Sequence, residues 1–146
     1  MEYRLERFVQ AQENTWNTAL AEIRRGQKQS HWMWYVFPQI AGLGQSLMSR
    51  TYAISGLEEA KAYLAHPLLG SHLREITAAL LEQTGTAMQI FGSPDHLKLR
   101  SCMTLFGQAA PDESLFRQIL NRFFQGAEDP LTIAILMEQA AGRNGR

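Results

Sequence analysis

Apolar residues return at three- and four-residue steps through almost the whole chain, a spacing that suits helices and leaves little for a sheet. Leu115, Phe116, Ile119, Leu120, Phe123 and Phe124 make the cleanest face, closed by Gly126. Leu5, Phe8, Val9, Gln12, Trp16, Ala19, Leu20 and Ile23 read as one stripe that ends at Gly26. Between the stripes stand residues that start and stop helices. Ser55, with Glu58 three positions on, reads as a capping box in which each side chain satisfies a backbone donor of the other residue. Leu57, Ala60 and Leu64 follow, and the stripe halts at His66, because a residue before proline is pushed out of helical geometry. Pro67 suits the first turn of the next helix, which carries Leu69, Leu73, Ile76 and Leu80. Ser93-Pro94-Asp95 repeats the logic with Ser93 as the cap, ahead of Leu97, Leu99, Cys102, Met103 and Phe106. Asp129-Pro130 opens a last helix through Met137. Trp32–Phe37 alone is strand-like in composition, and it is too short and isolated to build a sheet. The fold class is therefore all-α: one multihelical globular domain over residues 1–141, with 142–146 expected to fray as a flexible tail.

Length and charge narrow the function classes. A chain of 146 residues can bury one substantial core, and 45% hydrophobic with 19% charged residues is the balance of a soluble globular protein. Fourteen Lys and Arg against fourteen Asp and Glu leave no net field, which argues against nucleic acid or an anionic membrane as partner. Cys102 is the sole cysteine, so no internal disulfide forms and a multi-cysteine zinc site is excluded. Met1–Arg7 lacks a signal-peptide core, and no apolar run approaches the ~18 residues of a bilayer span. The expected setting is cytoplasmic.

Chemistry concentrates between Lys28 and Ser46, where a cation, an imidazole and two indoles precede a glycine-rich turn. Trp32 and Trp34 are either core or stacking platforms, since buried rings dominate small cores. Lys28 follows a helix end, whose carbonyls its charge complements, and it equally suits an anion. His31 is either a half-buried structural residue or a general acid or base. Gln39 extends the same cluster. Gly42 and Gly44 are either a plain turn or a nest of N–H groups for an anion, and Ser46 is a candidate N-cap for a short helix through Tyr52, with Arg50 near. The turn lacks the third glycine of a dinucleotide fingerprint.

A second polar cluster lies on one helix face, with Lys98, Ser101 and Cys102 at steps of three and four and Asp95 able to pair with Lys98. Ser101 and Thr104 facing inward would be odd for core, so Lys98 and Ser101 join the candidate site. Cys102 reads as a small buried residue. Histidines 31, 66, 72 and 96 show no ligand spacing, so no metal is expected, and no cofactor motif stands out.

Gly26-Gln27-Lys28-Gln29-Ser30-His31-Trp32-Met33-Trp34-Tyr35-Val36-Phe37-Pro38-Gln39, then Gly42-Leu43-Gly44, Glu59–Pro67 and Phe91-Gly92-Ser93-Pro94-Asp95, resemble a bacterial family of unknown function, domain of unknown function 1810. Its members are often mislabelled calpastatin, an inhibitor that is a disordered repeat protein, whereas this chain is compact in composition and free of repeats. The resemblance runs from Phe8 to Leu136 and implies an all-helical single domain. His96 stands where the family more often has an acid and Cys102 where it has serine, so neither takes an essential role. A second likeness, to helical NAD- and ADP-ribose-associated hydrolases, rests on the aromatic segment beside a histidine and on Glu59-Ala60-Lys61.

Together these readings give an expected function. A nucleotide-like or ADP-ribosyl molecule would stack on Trp32 or Trp34, its anion held by Lys28 and the N–H groups near Gly42 and Gly44, with Lys98 and Ser101 closing the far side. His31 would supply acid–base catalysis for hydrolysis of an N-glycosidic bond. The competing class is a non-enzymatic protein–protein interaction module. The first requires a concave pocket lined by Lys28, His31 and a tryptophan; the second requires a flat, exposed aromatic patch.

Overall fold

The long stripes become long helices. The computed structural model describes residues 3–144, with side chains described as far as Gly142. Ten helices occupy these residues: α1 (Glu6–Glu13), α2 (Trp16–Arg25), α3 (Met33–Val36), α4 (Leu47–Thr51), α5 (Leu57–Ala65), α6 (Pro67–Leu81), α7 (Ala87–Phe91), α8 (Asp95–Ala109), α9 (Leu115–Phe124) and α10 (Pro130–Asn144). An isolated parallel bridge between Ile40 and Ile54 is the sole β-pairing among the described residues. The fold is all-α, and no described helix is long and apolar enough to cross a membrane.

Helix α8 runs through the centre, with Leu99, Cys102, Met103, Leu105 and Phe106 fully buried. It packs against α5, α7, α9 and α10, while α6 packs against α2, α5 and α9. Phe116, Ile119 and Leu120 are the buried stripe of α9. Burial pushes the Cys102 thiol well above its ordinary value, so it offers no thiolate.

Several local expectations change. The first stripe divides: α1 ends at Asn14, and the Thr15 hydroxyl donates to the Ala11 carbonyl before α2 begins. Polar side chains that bond the local backbone in this way compete with the helical ladder. Ser55 is not a capping residue. Gly56 takes the cap position of α5, and Glu59, not Glu58, accepts the Ser55 N–H at 2.8 Å. A capping box forms instead at Thr86 and Gln89, each side chain bonded to the other's backbone N–H. Ser93 does not cap α8 either; a cis Ser93–Pro94 bond precedes the helix and Pro94 sits at its cap. Within Trp32–Phe37, Met33–Val36 form a helical turn, α3, instead of an extended segment. Helical geometry continues to Asn144, through the first part of the tail expected to fray, while Gly145 and Arg146 lie outside the described residues.

A buried polar knot joins α1 to α6. The Gln12 amide donates to the Tyr35 carbonyl at 2.7 Å and to the Tyr63 hydroxyl at 3.1 Å. Its oxygen faces His72 Nδ1 at 2.7 Å, which must therefore carry the proton. The His72 ring lies flat on Trp16, with centroids 3.8 Å apart and planes 4° from parallel. Burial lowers the His72 pKa below 6.5, with the Glu75 charge opposing it. The unfolded chain therefore takes up this proton first, so the contribution of His72 is complete above pH 6.5 and is lost as pH falls through the depressed folded value. Urea midpoints of the wild type and His72→Gln should converge as pH is lowered from neutral into that window; a constant difference would contradict the assignment.

Candidate functional site

The candidate site begins with a clamp. The Ala41 N–H donates to the Ile54 carbonyl and the Ile54 N–H to the Gln39 carbonyl, each at 2.8 Å, so residues 42–52 arch out between two fixed feet. The Arg7 guanidinium holds the returning foot. Its Nε donates to the Thr51 carbonyl at 2.8 Å, and one terminal nitrogen donates to the Ala53 carbonyl at 2.8 Å and to Glu59 at 3.0 Å. Glu59, one of the residues on which the hydrolase likeness rests, is thus a structural partner of Arg7. Gly42 allows the arch to turn at φ +106°, and Gly44 leaves room for Ser49, to which a Cβ there would come within 2.8 Å. Ser46 caps α4 by accepting the Ser49 N–H at 3.1 Å.

This arch, one face of α8, the start of α10 and Trp34 from α3 enclose a cavity of about 580 Å³. Trp34, Gln39, Gly42, Gly44, Ser46, Lys98 and Ser101 all line it, although the first five stand more than fifty positions from the last two along the chain. Arg50, Tyr52, Arg100, Asp129 and Leu131 complete the lining. Lys98 Nζ stands 4.9 Å from the Trp34 ring centroid.

Lys28, His31 and Trp32 stay outside the lining. Trp32 is core, 1% exposed, and its indole donates to Glu22 at 2.8 Å. The same carboxylate accepts the Gln29 and Ser30 N–H groups at 2.8 and 3.0 Å and the Ser30 hydroxyl at 2.5 Å. Burial alone would raise the Glu22 carboxyl; the Ser30 hydroxyl, the two N–H groups and the indole together hold its pKa at about 2. Glu22 is the residue that satisfies the polar turn at Lys28–Trp32. His31 is exposed and meets the site through neither its ring nor its backbone, whose carbonyl accepts from the Tyr35 hydroxyl at 3.2 Å. Its expected acid–base role therefore has no place at the cavity.

Lys28 acts one step behind the wall. Its ammonium is buried, bonded to the Ser30 carbonyl at 2.6 Å and to Asp95 at 2.8 Å. Asp95 also holds Lys98, at 3.2 Å. Burial pushes the Asp95 carboxyl up, and the Lys28 and then the Lys98 ammonium overcome that and lower it. Two ammonium groups share one carboxylate, so Lys98 reaches the cavity only partly neutralised. Arg50 has no ion-pair partner among the described residues, whereas Arg100 faces Asp129 at 3.5 Å.

Asp129 is held away from solution chemistry. One oxygen accepts the Thr132 N–H and hydroxyl at 3.0 and 2.6 Å, and the Thr104 hydroxyl accepts the Asp129 N–H at 2.9 Å. Arg100 and Asp129 were missed as site residues, because they read as an unremarkable helix surface and a helix start. The inward-facing Thr104 was the signal that α8 meets something polar there. As for an interaction patch, Trp32, Tyr35 and Phe37 are buried, so the aromatic segment presents no flat exposed face.

The comparisons agree on kinship and give no activity. A family described as protein of unknown function (DUF1810) matches residues 2–136. The crystal structure of the conserved hypothetical protein Rv1873 from Mycobacterium tuberculosis is 46% identical, with a TM-score of 0.90, covering 91% of this chain and 96% of that chain. No curated protein matches.

Proposed function

The chain belongs to the DUF1810 family, and for it we propose a ligand-binding role: the cavity between the 42–52 arch and α8 takes a small anionic molecule carrying a flat ring. One observation carries the reading. Separate stretches of sequence bring an indole and two incompletely neutralised cations, Lys98 and Arg50, to one concave site of about 580 Å³, within the range of small-molecule pockets. The indole supplies a flat apolar wall and the cations orient the anion. A cytoplasmic setting fits the lone, fully buried Cys102 thiol.

Thermal shift tests this. Millimolar 2-naphthoate, AMP and ADP-ribose should include a compound that raises the wild-type melting temperature by a few degrees, since a ligand at about ten times its Kd adds roughly 1.4 kcal/mol. Arg50→Ala/Lys98→Met should lose most of that rise while melting near the wild type without ligand. If no compound stabilises the wild type more than the double variant, the cavity is not a ligand site.

A further inference from the structure

The geometry points to an amphiphilic anion as the occupant, an aromatic or alicyclic ring with a single carboxylate or phosphate head, and away from a ribosyl compound; this rests on the cavity being the binding site proposed above. The engaged carboxylates and the apolar mouth of the cavity decide between the two. A ribose diol needs acceptors, and dinucleotide sites provide a carboxylate for it. Here Asp129 is occupied by Thr132 on one oxygen and faces Arg100 with the other. Asp95 is shared between Lys28 and Lys98.

The serine hydroxyl protons of the lining are committed as well. Ser46 donates to the Ser49 hydroxyl, Ser49 to the Ser46 carbonyl and Ser101 to the Leu97 carbonyl. The cavity thus offers no uncommitted carboxylate; it offers the cationic donors Arg50 and Lys98 on one side, the neutral amides of Gln39 and Gln45 along the arch, and apolar surface on the other side. Trp34, Ile40, Leu43 and Tyr52 form that surface inside. Leu97 and Leu131 continue it at the mouth, where they remain 46% and 64% exposed. Large aliphatic groups left open beside a cavity are covered when the bound molecule has an apolar body. A sugar at the same place would bring hydroxyls against leucine and leave them unpaired, which binding sites penalise strongly.

Competition for 1-anilinonaphthalene-8-sulfonate, a ring-bearing anion, tests the class. The wild type should bind it with enhanced, blue-shifted fluorescence. 2-Naphthoate should displace it at concentrations about tenfold or more below those needed for AMP or ADP-ribose. Equal or better displacement by AMP or ADP-ribose overturns the ligand class and leaves the cavity reading standing. Undiminished dye binding by Arg50→Ala/Lys98→Met, with near-UV dichroism showing both proteins folded, overturns the cavity reading itself, as does a wild type that binds no dye.

Discussion

Glu22→Ala is expected to lower stability by about 4 kcal/mol, because it strands donors that are arranged around one buried charge. The Glu22 carboxylate receives two backbone N–H groups, a hydroxyl and the Trp32 indole. Removing it leaves the indole, 1% exposed, without an acceptor and releases the turn that carries Lys28. The acid limb follows from the same bonds. With the folded pKa at about 2 against 4.5 unfolded, the unfolded chain binds the proton first. The stabilisation is complete above pH 4.5 and is lost as pH falls towards 2. Denaturant titrations of wild type and Glu22→Gln should therefore show a large gap at pH 7 that narrows steadily below pH 4.5. A gap that stays constant with pH, or one below about 1 kcal/mol at neutral pH, would be the signature of an ordinary surface carboxylate.

Gly70→Ala is expected to cost about 3 kcal/mol and to lower the melting temperature by roughly 10 °C, by forcing α5 and α6 apart. A Cβ at Gly70 would stand 2.1 Å from the Leu64 carbonyl oxygen, a backbone atom that cannot rotate away. Helix propensity runs the other way, since alanine is favoured over glycine by about 1 kcal/mol inside a helix. A melting temperature at or above the wild type would mean that the α5–α6 contact yields easily. Gly142→Ala is the control: it has open space around it and lies in α10.

The all-helical fold was legible because periodicity and punctuation are local properties. Pro67 through its ring, Gly126 through its left-handed backbone and Asp129 through its side chain mark helix ends locally, and α6, α9 and α10 begin or end within two residues of them. Caps were less legible. Ser55 and Glu58 have the right spacing for a box, yet Glu59 is drawn to Ser55 from the following position while also meeting Arg7 across the fold. That contact depends on packing, which spacing does not carry.

The candidate site divides along the same line. Trp34, Gln39, Ser46, Lys98 and Ser101 were identified because polar or aromatic residues in unusual company stand out locally, and the fold brings them together. Lys28 and Trp32 stood out equally and are explained by Asp95 and Glu22, partners far away or unremarkable in sequence. Arg100 and Asp129 gave no local signal, since each becomes part of the cavity only when α10 docks on α8.

The three indoles provide the most direct test of the cavity as a ligand site, because each has a different environment. Trp16 lies on His72, Trp32 bonds Glu22, and Trp34 faces the cavity beside Lys98. Titrating 2-naphthoate into ¹⁵N-labelled protein should shift the indole N–H resonance of Trp34 saturably and leave those of Trp16 and Trp32 in place. A saturable shift at Trp16 or Trp32 with Trp34 unmoved, or no shift at any of the three, would contradict the account.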